Sequence, residues 1–349
     1  MIDQRFEQLT NWITTKVGQD FAIDLLDNDA SFRRYFRLKN YNLNLPFSSL
    51  VIMDAPPEHE NCKSYLEVEK ILATAHVNVP KIYYQDISNG FLAISDFGDF
   101  SYHGYLNTHP NIAEKLYKLA FDSLIKIQLL PKTNKLPSYD RQKMMNELML
   151  FPNWFLKKHL NIEFAENELI QLFSNLIDRY QANPRVLVHR DYHIRNLMVL
   201  EENQKINEEL TPGILDFQDA VYGPITYDLV SILRDAYLEW EEDIILDWLI
   251  RYWERAKKAG LPVNLDFAVF YQDFDYMILL RHIKVLGIFS RLNFRDHKPQ
   301  YLEYLPLVFR YCRTIANRYR DLKYLANLFE QIEDKVLAEE DLTKQVYSF

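Results

Sequence analysis

The sequence predicts an α+β protein in two parts: a small antiparallel sheet with a helix, then a larger, mainly helical region. Three observations predict this. Five short apolar or alternating runs lie before residue 98, and most of the turns between them are too short for parallel crossovers. From about residue 110 the apolar spacing changes to the three-and-four pattern of helices. Three further strand-like runs, at 185–189, 196–200 and 213–217, interrupt that helical region. The boundary is read at the end of the fifth run, which gives an N-terminal lobe of residues 1–97 and a C-terminal lobe of residues 98–349.

Each element has its own signal. Ile2, Phe6, Leu9, Ile13 and Val17 make one face of an N-terminal helix. FAIDLL (21–26), SFRRYFRL (31–38) and SSLVIMD (48–54) read as strands separated by polar turns. A helix follows at about 62–75 on Leu66, Ile71 and Leu72, and Asn78 and Pro80 end it. KIYYQD (81–86) and GFLAISDF (90–97) form a hairpin across a Ser-Asn-Gly turn. Helices are expected at 111–130, 140–160, 164–182, 225–237, 240–259, 265–290 and 300–337. The polar stretch 201–213 is a loop or a long hairpin, and the charged tail after 331 frays or forms a short helix.

Composition narrows the function. The net charge of −9 argues against a broad nucleic-acid surface, which needs clustered Lys and Arg. Only 8 glycines occur, and neither G-x-G-x-x-G nor the Walker phosphate loop is present. Cys62 and Cys312 form no C-x-x-C pair, which suits two free thiols in a reducing compartment, with a single disulfide left open. No apolar run approaches the ~18 residues of a membrane span, and the first residues lack the pattern of a signal peptide. A cytoplasmic protein with no membrane or nucleic-acid partner is expected; its oligomeric state is open.

The chemistry concentrates in LVHRDYHIRNLMVL and GILDFQDAVYGP. A strand delivers His189, Arg190 and Asp191 to a loop, Asn196 opens the next strand, and Asp216 ends a third. Phosphoryl transfer from ATP needs such a set: a carboxylate to orient a hydroxyl and take its proton, and hard oxygen ligands for magnesium. The spacing reads H-R-D-x-x-x-x-N, then Asp-Phe-Gln, against the kinase template. A competing reading puts His189, Asp191 and His193 on one face of a continued strand as a hydrolase metal site, which leaves Asn196 and Asp216 unexplained. His189 also reads as a buried strut, and Asp228 as an anchor beside the loop.

These two motifs, with DNDASFRRYFRL, VIMDAPPE and FLAISDFGD, resemble the aminoglycoside phosphotransferase-like kinases over roughly residues 20–320. Within them the resemblance runs to bacterial anomeric sugar kinases of N-acetylmuramate and N-acetylglucosamine, which serve cell-wall recycling. It implies a bilobal protein-kinase-like fold with ATP and Mg²⁺ as cofactors. It implies Asp191 as catalytic base, Asn196 and Asp216 as metal ligands, and Ser95, Asp96 and Phe97 as the hinge beside adenine. The turn Asn28-Asp29-Ala30-Ser31 would lie over the phosphates. The chain departs from the kinase pattern at LVIMD, where Met53 and Asp54 stand and no Lys does, so Arg33 or Arg34 is a candidate for the phosphates. Arg195, Gln218 and Asp219 are candidates for substrate contact. An amino sugar is the expected substrate. The alternatives are an aminoglycoside, choline or homoserine type of alcohol, or a nucleotide-binding pseudokinase module.

Overall fold

The computed structural model describes residues 4–26, 32–42, 44–202 and 205–338. The chain divides into two compact units, Met1–Phe100 with Met198–Asp219, and Ser101–Leu197 with Ala220–Phe349.

The first unit is a five-stranded sheet and two helices. Helix α1 (Gln4–Val17) precedes β1 (Phe21–Leu25), β2 (Arg34–Asn40) and β3 (Ser49–Asp54). Helix α2 (Cys62–Ala73) separates these from the hairpin β4 (Ile82–Asp86) and β5 (Phe91–Ser95). The strand order is β1-β2-β3-β5-β4 and every pair is antiparallel. Strand alternation puts Phe36, Leu38, Leu50, Ile52, Phe91 and Ala93 on one face, and Leu9, Ile13 and Val17 of α1 close that face into a core. Each such Leu, Ile or Val contributes about 1.5–3 kcal/mol by leaving water. Arg34 and Asp54 are cross-strand partners; Asp54 is fully buried and binds Arg34 Nη2 at 2.7 Å and Arg5 Nη2 at 2.6 Å. The pairing register assigns Tyr35, Arg37, Val51, Met53, Leu92 and Ile94 to the other face.

The second unit is helical. Helices α3 (Tyr102–Leu106), α4 (Ala113–Gln128), α5 (Arg141–Leu148) and α6 (Glu166–Ala182) lead into β6 (Arg185–Val188). Met198–Asp219, part of the first unit, carries the short strands β8 (Glu201–Glu202) and β9 (Lys205–Ile206), which pair with each other, and β10 (Gly213–Ile214), which pairs with β7 (Leu197–Met198) where that segment begins. After β11 (Val221–Pro224) come α7 (Tyr227–Leu233), α8 (Glu242–Lys258), α9 (Phe267–Asp296), α10 (Leu305–Arg318) and α11 (Lys323–Leu337). Helix α9 is the spine: most of its residues from Phe274 to Leu292 are buried. Its Gly287 permits close approach, because a Cβ there would lie 2.4 Å from the Leu150 backbone. No described helix is long and apolar enough to cross a membrane.

Several expected elements change. The strand at 185–189 pairs with Val221–Pro224, a strand the sequence reading missed, and not with 196–200. The helix expected at 140–160 breaks after Leu148 and continues as a π-helix, Phe151–His159, with Pro152 in its first turn; the Leu160 amide reaches back five residues to Phe155 O. The helix expected at 300–337 is two helices. Tyr319 between them is extended, and its hydroxyl and Arg318 both bind Asp275 of α9, at 2.8 and 2.7 Å. Helix α9 runs on to Asp296, and α7 stops at Leu233 because Asp235 turns to other partners, described below.

Candidate active site

In the second unit, β6 leads into the buried His189, after which the chain turns through Arg190 at a positive φ of 81°. A non-glycine residue in that region must be held there. The holder is Asp228 on α7, itself fully buried. Its carboxylate accepts the His189 amide at 2.7 Å and the Arg190 amide at 2.9 Å. Burial pushes this carboxyl up to about 7, while the two amides and nearby Arg281 favour its charged form. A second buried carboxylate, Asp235, accepts the Ile194 amide at 3.0 Å and the Tyr237 amide at 2.9 Å. Two carboxylates therefore fix the loop's backbone at both ends.

Asp191 lies between these ends, half-buried. Its amide donates to His189 Nδ1 at 3.3 Å. Burial acts to raise the Asp191 carboxyl, but the positive charges beside it, led by Lys284 and Arg190, outweigh it and hold it below the usual range. The strongest of these cations, Lys284, is buried on α9 and donates to Tyr227 Oη at 2.6 Å. Glu147 on α5 neutralises the cluster: it accepts Arg190 Nη2 and the Tyr139 hydroxyl at 2.5 Å each, with Lys284 Nζ at 3.7 Å.

Asn196 Nδ2 donates to the Asp191 carbonyl at 3.0 Å and meets His193 Nε2 at 3.4 Å. A carbonyl only accepts, so this fixes the amide's orientation: the donor end faces Asp191, and the group a hard cation would take from Asn196 is Oδ1. The same contact makes His193 Nε2 an acceptor, which leaves the proton of the neutral ring on Nδ1. Burial holds His193 below the ordinary histidine range, consistent with a neutral ring. Arg195 is half-buried. Its guanidinium lies 3.6 Å from the Tyr237 ring centroid and donates to Tyr304 Oη at 2.7 Å.

In the first unit, Asp216 is exposed at a positive φ of 61°. Gln218 Nε2 donates to its Oδ1 at 2.7 Å, so Gln218, a candidate substrate contact, orients Asp216. Phe217 is buried against Tyr65 of α2, ring centroids 4.7 Å apart. The strand leading to Asp216 is fixed by Asn78, which accepts the Ile214 amide at 2.8 Å and donates to Thr211 O at 2.8 Å. Gly213 passes close to Phe97, whose ring a Cβ would meet at 2.5 Å. Asp219 is exposed.

Of the two candidate phosphate cations, Arg34 is committed to buried Asp54 through Nε at 2.9 Å and Nη2 at 2.7 Å. Arg33 pairs with Glu60 at 2.7 Å and lies in the field of Asp216. Ser95 closes the β4–β5 ladder: its amide donates to Lys81 O at 2.9 Å and its Oγ accepts the Lys81 amide at 3.0 Å. Asp96 binds Arg37 Nε at 2.8 Å and accepts the Gly98 amide at 3.0 Å. Ser31, with Asn28, Asp29 and Ala30, lies outside the described residues.

Residues 23–261 match the phosphotransferase enzyme family. The chain belongs to this family. The phosphotransferase is 42% identical over 341 residues to an N-acetylmuramate/N-acetylglucosamine kinase of Neisseria meningitidis serogroup B, covering 96% of this chain and 98% of that one. It is 39% identical over 345 residues to a kinase of the same name from Pseudomonas putida, covering 95% and 97%. In fold it is similar to the choline kinase LicA of Streptococcus pneumoniae, with a TM-score of 0.62 at 13% identity over 90% of this chain and all of that one. The fold is thus the α+β protein-kinase-like one, with an antiparallel N-terminal sheet and a mainly helical C-terminal part.

Among the phosphotransferase's described residues, no group of three His, Cys, Asp or Glu is placed to hold a metal ion, so His189, Asp191 and His193 do not assemble the hydrolase centre. A cavity of about 250 Å³ lined by Arg234, Trp240, Ile278 and Tyr311 is not part of the site; Arg310 and Arg318 on its wall pair with Glu239 and Asp275 at 2.7 Å each. Sequence reasoning missed Glu147, Lys284 and Asp235. Lys284 did leave a signal, a Lys inside the apolar run MILLRHIKVLGIF.

Proposed function

We propose that this phosphotransferase transfers the γ-phosphoryl group of ATP to the anomeric hydroxyl of an N-acetyl amino sugar, N-acetylmuramate or N-acetylglucosamine, giving the sugar 1-phosphate and ADP. The observation that carries the reading is the identity of 39–42% with two kinases of that name over at least 95% of this chain. Asp191 is the proposed base. It orients the hydroxyl and accepts its proton as the oxygen attacks phosphorus, a role served by the cations that keep it ionised.

Asn196 and Asp216 are the proposed magnesium ligands, hard oxygen donors suited to that ion. Magnesium, when bound, neutralises charge on the phosphates. Only two protein ligands are needed, since magnesium also takes phosphate oxygens and water. Backbone groups of Ser95, Asp96 and Phe97 are proposed to meet adenine, and Arg33, rather than Arg34, the phosphates. Met53, buried where the family's strand Lys is expected, favours a second reading, a nucleotide-binding module without transfer.

The test is a substrate panel of N-acetyl amino sugars, aminoglycosides and amino alcohols, each with ATP and Mg²⁺, with the product's phosphate located by phosphorus NMR. The expected result is phosphate on the anomeric oxygen of an N-acetyl amino sugar. Transfer only to another alcohol overturns the substrate assignment. ATP binding with no transfer to any compound supports the second reading.

A further inference from the structure

The cations around Asp191 and His193 are not equivalent. Arg190 is spent on Glu147, and Lys284 on Tyr227 and Glu147. Arg281 is buried and donates to Ser231 Oγ at 2.7 Å. Of the four, Arg195 alone combines partial exposure with the lack of a carboxylate ion pair among the described residues. It is nevertheless held in place, one face on the Tyr237 ring and Nη2 on Tyr304 Oη. Asp235, which acts on His193 alongside Arg195, already serves two backbone amides, and Glu303 hydrogen-bonds Tyr304. Beside it, the buried His193 Nδ1 has no hydrogen-bond partner among the described residues, and the Asn196 contact gives that nitrogen the proton. A fixed guanidinium and an unused N–H donor thus stand on the same short segment as the proposed base.

N-acetylmuramate differs from N-acetylglucosamine by one lactyl ether, which carries a carboxylate. We propose that Arg195 is the carboxylate-recognition residue that favours the acidic amino sugar over the neutral one, with Tyr237 and Tyr304 positioning its planar fork. This inference rests on the amino-sugar reading above. A planar guanidinium with its face and one nitrogen already fixed loses little freedom when its remaining N–H groups meet a carboxylate. A lysine ammonium lacks that fork.

The experiment compares kcat/KM for N-acetylmuramate and N-acetylglucosamine in the unaltered chain, Arg195→Gln, Arg195→Lys and Tyr304→Phe, with KM for ATP measured alongside. A charge-assisted hydrogen bond removed in this way lowers the acid-to-neutral ratio by about 10- to 100-fold in Arg195→Gln. Smaller falls are expected in Arg195→Lys and Tyr304→Phe, with the change residing in KM for N-acetylmuramate. Equal losses on both sugars, or a raised KM for ATP with either sugar, overturn the proposal and make Arg195 a structural or phosphate-binding residue. An unchanged ratio overturns it too. Failure of the unaltered chain to phosphorylate either sugar is a different result, which removes the amino-sugar reading itself.

Discussion

Asp191 is a half-buried carboxylate whose ionisation is maintained by neighbouring cations, the leading one of which comes from a distant part of the chain. Lys284 leads them, and its ammonium sits behind the loop with Tyr227 and Glu147. Lys284→Met removes that cation at similar volume, while Glu147 keeps Arg190 and the Tyr139 hydroxyl as partners. Loss of a nearby positive charge raises a carboxyl's pKa. The acid limb of the kcat/KM–pH profile, which falls as Asp191 takes its proton, therefore moves to higher pH in Lys284→Met. A limb that stays in place would show that Asp191 does not govern it. At this scale the sequence was readable where chemistry is local: Asp191 and Asn196 stand five residues apart in a recognisable spacing. Glu147 and Lys284 were not readable as site residues, because they reach the loop only through tertiary packing of α5 and α9.

The helix α7 and its exit act as a clamp on the loop. Asp228 and Asp235 each accept two backbone amides, and one of those amides belongs to Arg190 in its strained conformation. Asp228 titrates near 7, above its ordinary range, so the folded chain binds this proton more tightly than the unfolded chain does. The stability it adds is full below about pH 4, the unfolded carboxyl's range, and is lost as pH rises through about 7. Asn at this position cannot titrate, and it turns an NH₂ group toward one of the two amides. Asp228→Asn is expected to lower unfolding stability by about 1–3 kcal/mol at pH 5, with the gap narrowing toward pH 8, as read by urea denaturation at both values. A gap that widens with pH would contradict the sign. The position of Asp228 beside the loop already suggested an anchor. The early end of α7 did not show in the periodicity, because Asp235 leaves the helix for tertiary partners. The four-residue strand VYGP was missed for another reason: a Gly and a Pro in so short a run read as a turn.

At the scale of the molecule, the sheet and helices follow from patterning that the sequence displays openly. The face of Phe36, Leu38, Leu50 and Ile52 alternates with period two, and Leu9, Ile13 and Val17 recur at helical spacing to cover it. Less visible was that Met198–Asp219 belongs with the N-terminal residues in one compact unit. That association includes Asn78, which the sequence presents as a helix stop; its side chain donates to Thr211 and its backbone carbonyl accepts the Ile214 amide. The central claim is that this phosphotransferase is a working kinase whose base is Asp191. It is tested most directly by following γ-phosphoryl transfer from ATP to N-acetylglucosamine in the unaltered chain and in Asp191→Asn, with nucleotide binding measured on both. The account predicts that Asp191→Asn binds nucleotide as before while kcat falls by about 10²- to 10⁴-fold. Near-normal turnover in that variant would contradict it.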